Sequence, residues 1–338
     1  MRPLILSLAL LCAPVMAVAD TPNPKIGDIV SNHILPRFEM LADTTAGLAS
    51  VAQQECAPTS EGLRDAYGSA FDAWVSASHL RFGPTETDDR AFALAFWPDS
   101  RGATPKVLSS LISAQDPIAE TAEGYAQVSI AGRGFYAMEF LLYDDALMKA
   151  GPPAYHCQLL QTMSADMAAT SQNILTDWQD RFADEMLNPS AEGQYRSDEE
   201  VLQELFKSLS AGLQFTSETR LGRPLGTFEH PRPTRAEARR SARSSLHVTL
   251  SLLSLRDLAA RLAEGDDDLM AHLQSRFKKP LEELNELDDP VFSSVGAPQT
   301  RLKVEVIQQS VDAIRDLVRD GLGPTLGVAA GFNALDGD

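Results

Sequence analysis

The chain is short of the residues that usually announce a mechanism. It has 338 residues, of which three are cysteine and six are histidine. The histidines, His33, His79, His156, His230, His247 and His272, are scattered, and none forms a His-Glu-x-x-His motif or its inverse. No Gly-x-Ser-x-Gly elbow and no phosphate-binding loop occurs. Positive charge is also scarce: 29 lysines and arginines face 47 acidic residues, a formal net charge of −18. Such a balance argues against nucleic acid or anionic lipid as partner, because both reward positive surfaces. The acidic run Asp266-Asp267-Asp268 lacks the alternating ligands of a calcium loop and reads as a solvated turn. Gly132 to Ala137 fits Gly-x-Gly-x-x-Ala formally, but a dinucleotide site needs alternating strands and helices, and period-two alternation is nearly absent. Beyond the N-terminus nothing approaches the ~18 consecutive apolar residues of a membrane span.

What is present begins with an export signal. Met1 to Ala19 has one arginine, an apolar core from Leu4 to Val18 and a small-x-small ending at Ala17-Val18-Ala19. Cleavage after Ala19 implies a mature protein in the periplasm or outside the cell. Of the three cysteines, Cys56 and Cys157 survive that cleavage. An oxidising compartment favours their pairing over two buried thiols. Closing a loop of about 100 residues would contribute at most ~4 to 5 kcal/mol.

The dominant periodicity is helical. Leu63, Tyr67, Ala70, Trp74 and Ala77 recur at intervals of three and four, as do Leu160, Met163, Met167, Thr170, Ile174 and Trp178. Further stripes are Leu202, Leu205, Leu209 and Leu213, then Leu246, Leu250 and Leu253, then Leu302 and Val306 beside Ile307, Ile314 and Leu317. Breakers divide them at Gly83-Pro84, Trp97-Pro98, Gly151 to Pro153, Asn188-Pro189, Pro224 to Pro233, Gly265, Pro280, Pro290 to Pro298 and Gly323-Pro324. The expected fold is all-α: two packed helical bundles of about four helices each. The signal peptide covers residues 1–19, the first bundle 20–190 and the second 195–338, with the polar interval Asn188 to Ser197 as linker. Leu221 to Pro233, proline-rich and without period, is expected to cross a surface or line a cleft.

One stretch looks like a site. From Gly132 to Tyr143 two glycines, an arginine, a phenol and a carboxylate interrupt an apolar run. On a helix Tyr136 and Glu139 share a face, while Phe135, Met138 and Leu142 fall on another. The glycines suggest a helix start, a kink or a close approach to another backbone. A glutamate among so many apolar residues needs a partner, which could be a cation.

The export signal, Phe71-Asp72-Ala73-Trp74 running to Arg81-Phe82-Gly83-Pro84, Ala95-Phe96-Trp97-Pro98-Asp99, the central Gly134 to Glu139, and the ending Gly331-Phe332-Asn333-Ala334-Leu335-Asp336-Gly337-Asp338 together resemble the imelysin family, also classified as peptidase family M75. The likeness spans essentially the whole mature chain. It implies a periplasmic or outer-membrane-associated protein of two helical bundles, with a Gly-x-His-x-x-Glu motif near their interface and an association with iron acquisition. The motif's glycine falls on Gly134 and its glutamate on Glu139, but Tyr136 occupies the place of its histidine. A phenol must lose a proton near pH 10 to compete with imidazole as a metal ligand, although tyrosinate does ligate ferric iron. A zinc peptidase wants about three protein ligands and an open position, and one motif carboxylate remains.

The expected function is thus an exported binding protein tied to iron acquisition. Its ligand or metal ion would be held by Glu139 and Tyr136, with Gly134, Arg133 as counter-charge and Glu86 as further candidates, and its partners would be periplasmic or membrane iron-uptake proteins. The alternatives are a metal-dependent peptidase and a helical interaction module whose site has decayed.

Overall fold

A computed structural model describes residues 22–328. The export signal and the closing Gly331 to Asp338 lie outside the described residues. Within them every regular element is a helix, and no strand occurs.

The first bundle has three long helices. Helix α1 (residues 24–54) starts with Pro24 at its first position and Asn23 capping the Lys25 N–H, an arrangement that suits proline because the first amides have no intrahelical partner. Helix α2 (Glu61–Ala77) is capped by Ser60, whose hydroxyl accepts from the Leu63 N–H at 3.2 Å. After a connection containing the short helix Arg90–Leu94 come α3 (Ala103–Ala114) and α4 (Gly134–Tyr143). Helix α5 (residues 153–187) then returns along α1. Phe38 of α1 stacks on Trp178 of α5 with centroids 5.6 Å apart, and Cys56, just past the end of α1, is disulfide-bonded to Cys157 near the start of α5. The two helices are therefore antiparallel and tied at one end.

Residues 188–197 carry the chain, without helix, into the second bundle of α6 (residues 198–225), α7 (Ser244–Leu262), α8 (Asp267–Glu286) and α9 (residues 298–325). Helices α1, α5, α6 and α9 each contain a π-helical turn, at Val30–Ile34, Trp178–Phe182, Phe215–Leu221 and Val318–Leu322. The extra residue in such a turn re-aims the side chains beyond it. His33 and Arg220 both sit in these turns, facing the other bundle.

The two bundles share one continuous cluster of buried apolar residues. Helix α7 packs on α2 and on the start of α1. At that junction Asp257 accepts from His33 Nδ1 at 2.7 Å and from Arg37 at 3.2 Å, while His33 Nε2 lies 2.9 Å from His79 Nε2. Arg261 reaches Asp28 at 2.5 Å.

Four expectations are corrected. Helix α7 does not bury the stripe Leu246, Leu250 and Leu253: Leu246 and Leu253 are exposed, and the inward face carries His247, Val248, Ser251, Leu252, Leu255 and Leu258. Its buried serines are accommodated by hydrogen bonds, such as Ser251 Oγ with Thr216 at 2.9 Å and Ser254 Oγ to the Ser76 carbonyl at 2.6 Å. Leu302 of α9 is likewise exposed, with Val304, Ile307, Val311 and Ile314 inward. Pro280 lies inside α8 rather than ending it, and Leu221 to Leu225 completes α6.

Candidate functional site

Helix α4 is wedged at the seam where the first bundle meets the segment 226–243 that joins α6 to α7. Gly134 opens it with φ of 73°, and a Cβ there would stand 2.1 Å from the Leu94 carbonyl oxygen and 2.4 Å from that of Ala93. No side chain fits such an approach, so glycine is required both for the backbone angle and for the space. Phe135, Met138 and Leu142 are fully buried, Phe135 stacking on Phe71 of α2 with centroids 4.9 Å apart.

The other face of α4 is polar and turned to the second bundle. The Tyr136 hydroxyl donates to Oε1 of Glu237. Glu139 Oε1 accepts from the Ser241 N–H at 2.9 Å and from the Ser241 hydroxyl at 2.8 Å. Two residues one turn apart on α4 thus meet two residues four apart in the joining segment. Glu237 Oε2 in turn receives Arg220 Nε at 2.7 Å, and both side chains are almost fully buried. Burial alone would raise the Glu237 pKa, but the Arg220 charge and hydrogen bonding outweigh it and hold the carboxyl at about 2. Burial, with the Glu237 charge adding to it, pushes the Tyr136 phenol well above its ordinary value of 10.

His247 lies beneath this pair, with Nδ1 3.6 Å from Glu237 and Nε2 3.7 Å from Asp72. Neither nitrogen has a hydrogen-bond partner, and both separations are too long to count as one. Asp72 is engaged instead by Arg243 through Nε at 3.0 Å and through Nη2.

The remaining sequence candidates lie apart from these contacts. Arg133 does not serve Glu139. It forms a two-pronged pair with buried Asp166 of α5, at 2.9 and 2.7 Å, and belongs to the interior of the first bundle. Glu86 pairs with Arg81 at 2.6 Å on the surface.

Two cavities flank Tyr136, separated by Trp97, whose ring stacks on the phenol with centroids 5.9 Å apart. One, of about 420 Å³, is walled by Trp74, Phe92, Trp97 and Phe215, with Ser78, His79 and Arg220 supplying polar groups. The other, of about 360 Å³, is lined by Trp97, Phe140, Asp99, Glu139 and three arginines, Arg223, Arg235 and Arg240. Both volumes fall in the range of small-molecule sites.

The donor set does not suit a bare metal ion. Tyr136 keeps its proton and spends it on Glu237, and the second oxygen of Glu237 faces a guanidinium where a metal would have to sit. Among the described residues no group of three or more His, Cys, Asp or Glu side chains is placed to hold a metal.

Glu237, Ser241, Arg220, Arg223 and Arg235 escape a motif-centred reading of the sequence. The signal that marks them is charge density: residues 220–243 hold seven arginines and two glutamates in a chain that is otherwise strongly acidic.

Two packed helical bundles, with a motif helix opened by Gly134 and held across their seam by Glu237 and Ser241, define the class of the fold. The family model for imelysin, peptidase M75, matches residues 34–318, and the chain belongs to that family. Among solved structures it is similar to an imelysin-like protein from Psychrobacter arcticum 273-4, with a TM-score of 0.77 at 22% identity over 95% of this chain and 100% of that one. It is also similar to a protein from Parabacteroides distasonis ATCC 8503 assigned as an iron-regulated protein A precursor, with a TM-score of 0.71 at 13% identity over 89% of this chain and 96% of that one. No curated protein matches it significantly.

Proposed function

We propose that this imelysin-family protein is an exported binding protein that holds a small organic ligand in the seam between its bundles, in the service of iron acquisition. The observation that carries the reading is the aromatic cavity beside Tyr136, whose walls come from both bundles and include polar groups among the aromatic ones. Export is supported by the Met1 to Ala19 segment, and among the described residues no helix is long and apolar enough to cross a membrane. The iron association is supported by the assignment of the Parabacteroides neighbour as iron-regulated. Because Tyr136 and Glu139 are committed to Glu237 and Ser241, iron would arrive within an organic ligand rather than as a bare ion.

Native mass spectrometry of the protein released from cells without denaturation tests this. The expected result is a small-molecule adduct on the wild type that is lost in Ala211→Trp, which fills the aromatic cavity. An unliganded wild type, or an adduct that survives the substitution, overturns the reading. Chelator-sensitive cleavage of polypeptides by the purified protein would favour the peptidase alternative instead.

A further inference from the structure

The second cavity, on the far side of Trp97, has an unbalanced set of charges. Its two carboxylates are already engaged: Asp99 accepts from the backbone N–H groups of Ala103 at 2.9 Å and Thr104 at 2.8 Å, and Glu139 from Ser241. One of its three arginines is engaged as well, since Arg240 pairs with Asp144 at 3.1 Å and lies over the Phe140 ring. Arg223 and Arg235 are left. Neither is within salt-bridge distance of a carboxylate among the described residues, and the buried Nε of Arg223 has no hydrogen-bond partner. The Arg223 guanidinium lies 5.6 Å from the centroid of the Trp97 ring, within the range of a cation–π contact.

Two unpaired guanidiniums directed into one crevice repel each other. Burial and the Arg235 charge together disfavour the ionised form of Arg223. A chain with 47 acidic residues could easily have placed a carboxylate between them. Solvent screens part of this repulsion at the exposed Arg235, and an anion between the two guanidiniums would relieve the rest. The planar fork of arginine matches an oxyanion with two parallel hydrogen bonds. Beyond a Debye length of about 8 Å the acidic exterior is screened, so it does not prevent an anion from being captured in a locally positive crevice.

We propose that this cavity is an oxyanion site, in which Arg223 and Arg235 together bind a small multivalent anion bearing carboxylate or phosphate groups, with Trp97 as the wall against its apolar part. The inference rests on the seam being a binding site but concerns the opposite side of Trp97 from the aromatic cavity, so the two stand or fall by separate measurements. A ligand carrying both an apolar body and acidic groups would use the two cavities together.

Calorimetric titration of the dialysed full-length exported protein with citrate, and separately with inorganic phosphate, is the test. At low salt a single saturable site is expected, weakened at least roughly tenfold, or about 1.4 kcal/mol, by either Arg223→Gln or Arg235→Gln. Arg235 lies on an exposed turn, so its variant should fold as the wild type does, and circular dichroism checks both. Lys207→Gln, in the wall of the aromatic cavity, should leave anion binding unchanged. The tighter of the two anions identifies the carboxylate or phosphate chemistry. Absence of saturable binding by both anions, or binding that both arginine variants retain, overturns the proposal. Retention by Arg235→Gln of the adduct seen by native mass spectrometry would show that such a failure leaves the aromatic cavity untouched.

Discussion

Helix α4 and the segment 226–243 form the two sides of one seam, yet they are built on opposite plans. Helix α4 is short, apolar and largely buried, and its two motif side chains, Tyr136 and Glu139, each have a hydrogen-bond partner across the seam. The segment has little helix, is rich in arginine, and strains its backbone into left-handed conformations at Ala238 and Ala242. The motif residues work as a clasp, whereas the unpaired charge stands opposite them, on Arg235 of the segment and on Arg223 at the end of α6. In this fold the recognisable motif and the residues available for binding are therefore largely different residues.

The sharpest way to break the comparison is Glu237→Ala. It leaves Arg220 buried without a counter-charge and removes the acceptor of Tyr136, so a loss of about 3 to 5 kcal/mol in urea denaturation is expected. Gly134→Ala should follow, at about 2 to 4 kcal/mol, because a methyl group meets the Ala93 and Leu94 carbonyls while the backbone keeps a positive φ. A loss below 1 kcal/mol would mean that α4 is free to shift away from the Arg90–Leu94 helix.

Acidity gives a graded test of the same seam. Burial, opposed by the Asp257 hydrogen bond, lowers His33 from 6.5 to about 4. As pH falls from about 6.5 to 4 the unfolded chain binds this proton first, so stability should decline across that window, and less steeply in His33→Asn. Glu237 acts in a lower window. Its folded pKa of about 2 lies below the ordinary 4.5, so its contribution is present above pH 4.5 and is lost as pH falls towards 2. Glu237→Gln should remove that second decline and leave the first.

The smallest effects separate the two glutamates proposed from sequence. Glu139→Ala leaves the Ser241 N–H and hydroxyl without their acceptor and should cost about 1 to 3 kcal/mol. Glu86→Ala breaks only a surface pair and should cost under about 0.5 kcal/mol. Equal losses would show that Glu139 contributes nothing as a clasp.

Much of the fold was legible because burial and helical period coincide in α2, α5 and α6, where Leu63, Tyr67, Trp74, Met163 and Leu205 all face inward. Legibility failed in α7 and α9, where hydrophobicity was assumed to mark the buried face. Ser251 and Ser254 of α7 are buried on account of their hydrogen-bond partners in other helices, while Leu253 and Leu302 remain in solvent. Gly134 could be read as a close approach because glycine in an apolar helix has few other uses. Its neighbours' partners could not be read, since nothing in the local pattern connects Tyr136 to Glu237 or Glu139 to Ser241 a hundred residues later. The arginine density of 220–243 was visible, but its meaning depends on which of those arginines the fold pairs, a property of tertiary structure alone.

If the seam holds a ligand as proposed, the buried Arg220–Glu237 pair bears on how that ligand would enter and leave. Binding proteins built from two lobes commonly capture their cargo by swinging shut on a hinge. Parting these bundles would pull Tyr136 off Glu237 and Ser241 off Glu139 and admit water to a desolvated ion pair, so the seam is bolted rather than hinged. Exchange would instead run past side chains that line a preformed cavity, such as the exposed Phe92 and Lys207. Cargo would be loaded at rates set by diffusion and rim motion, and a docking partner at the membrane would meet the same molecular outline whether the cavity is full or empty.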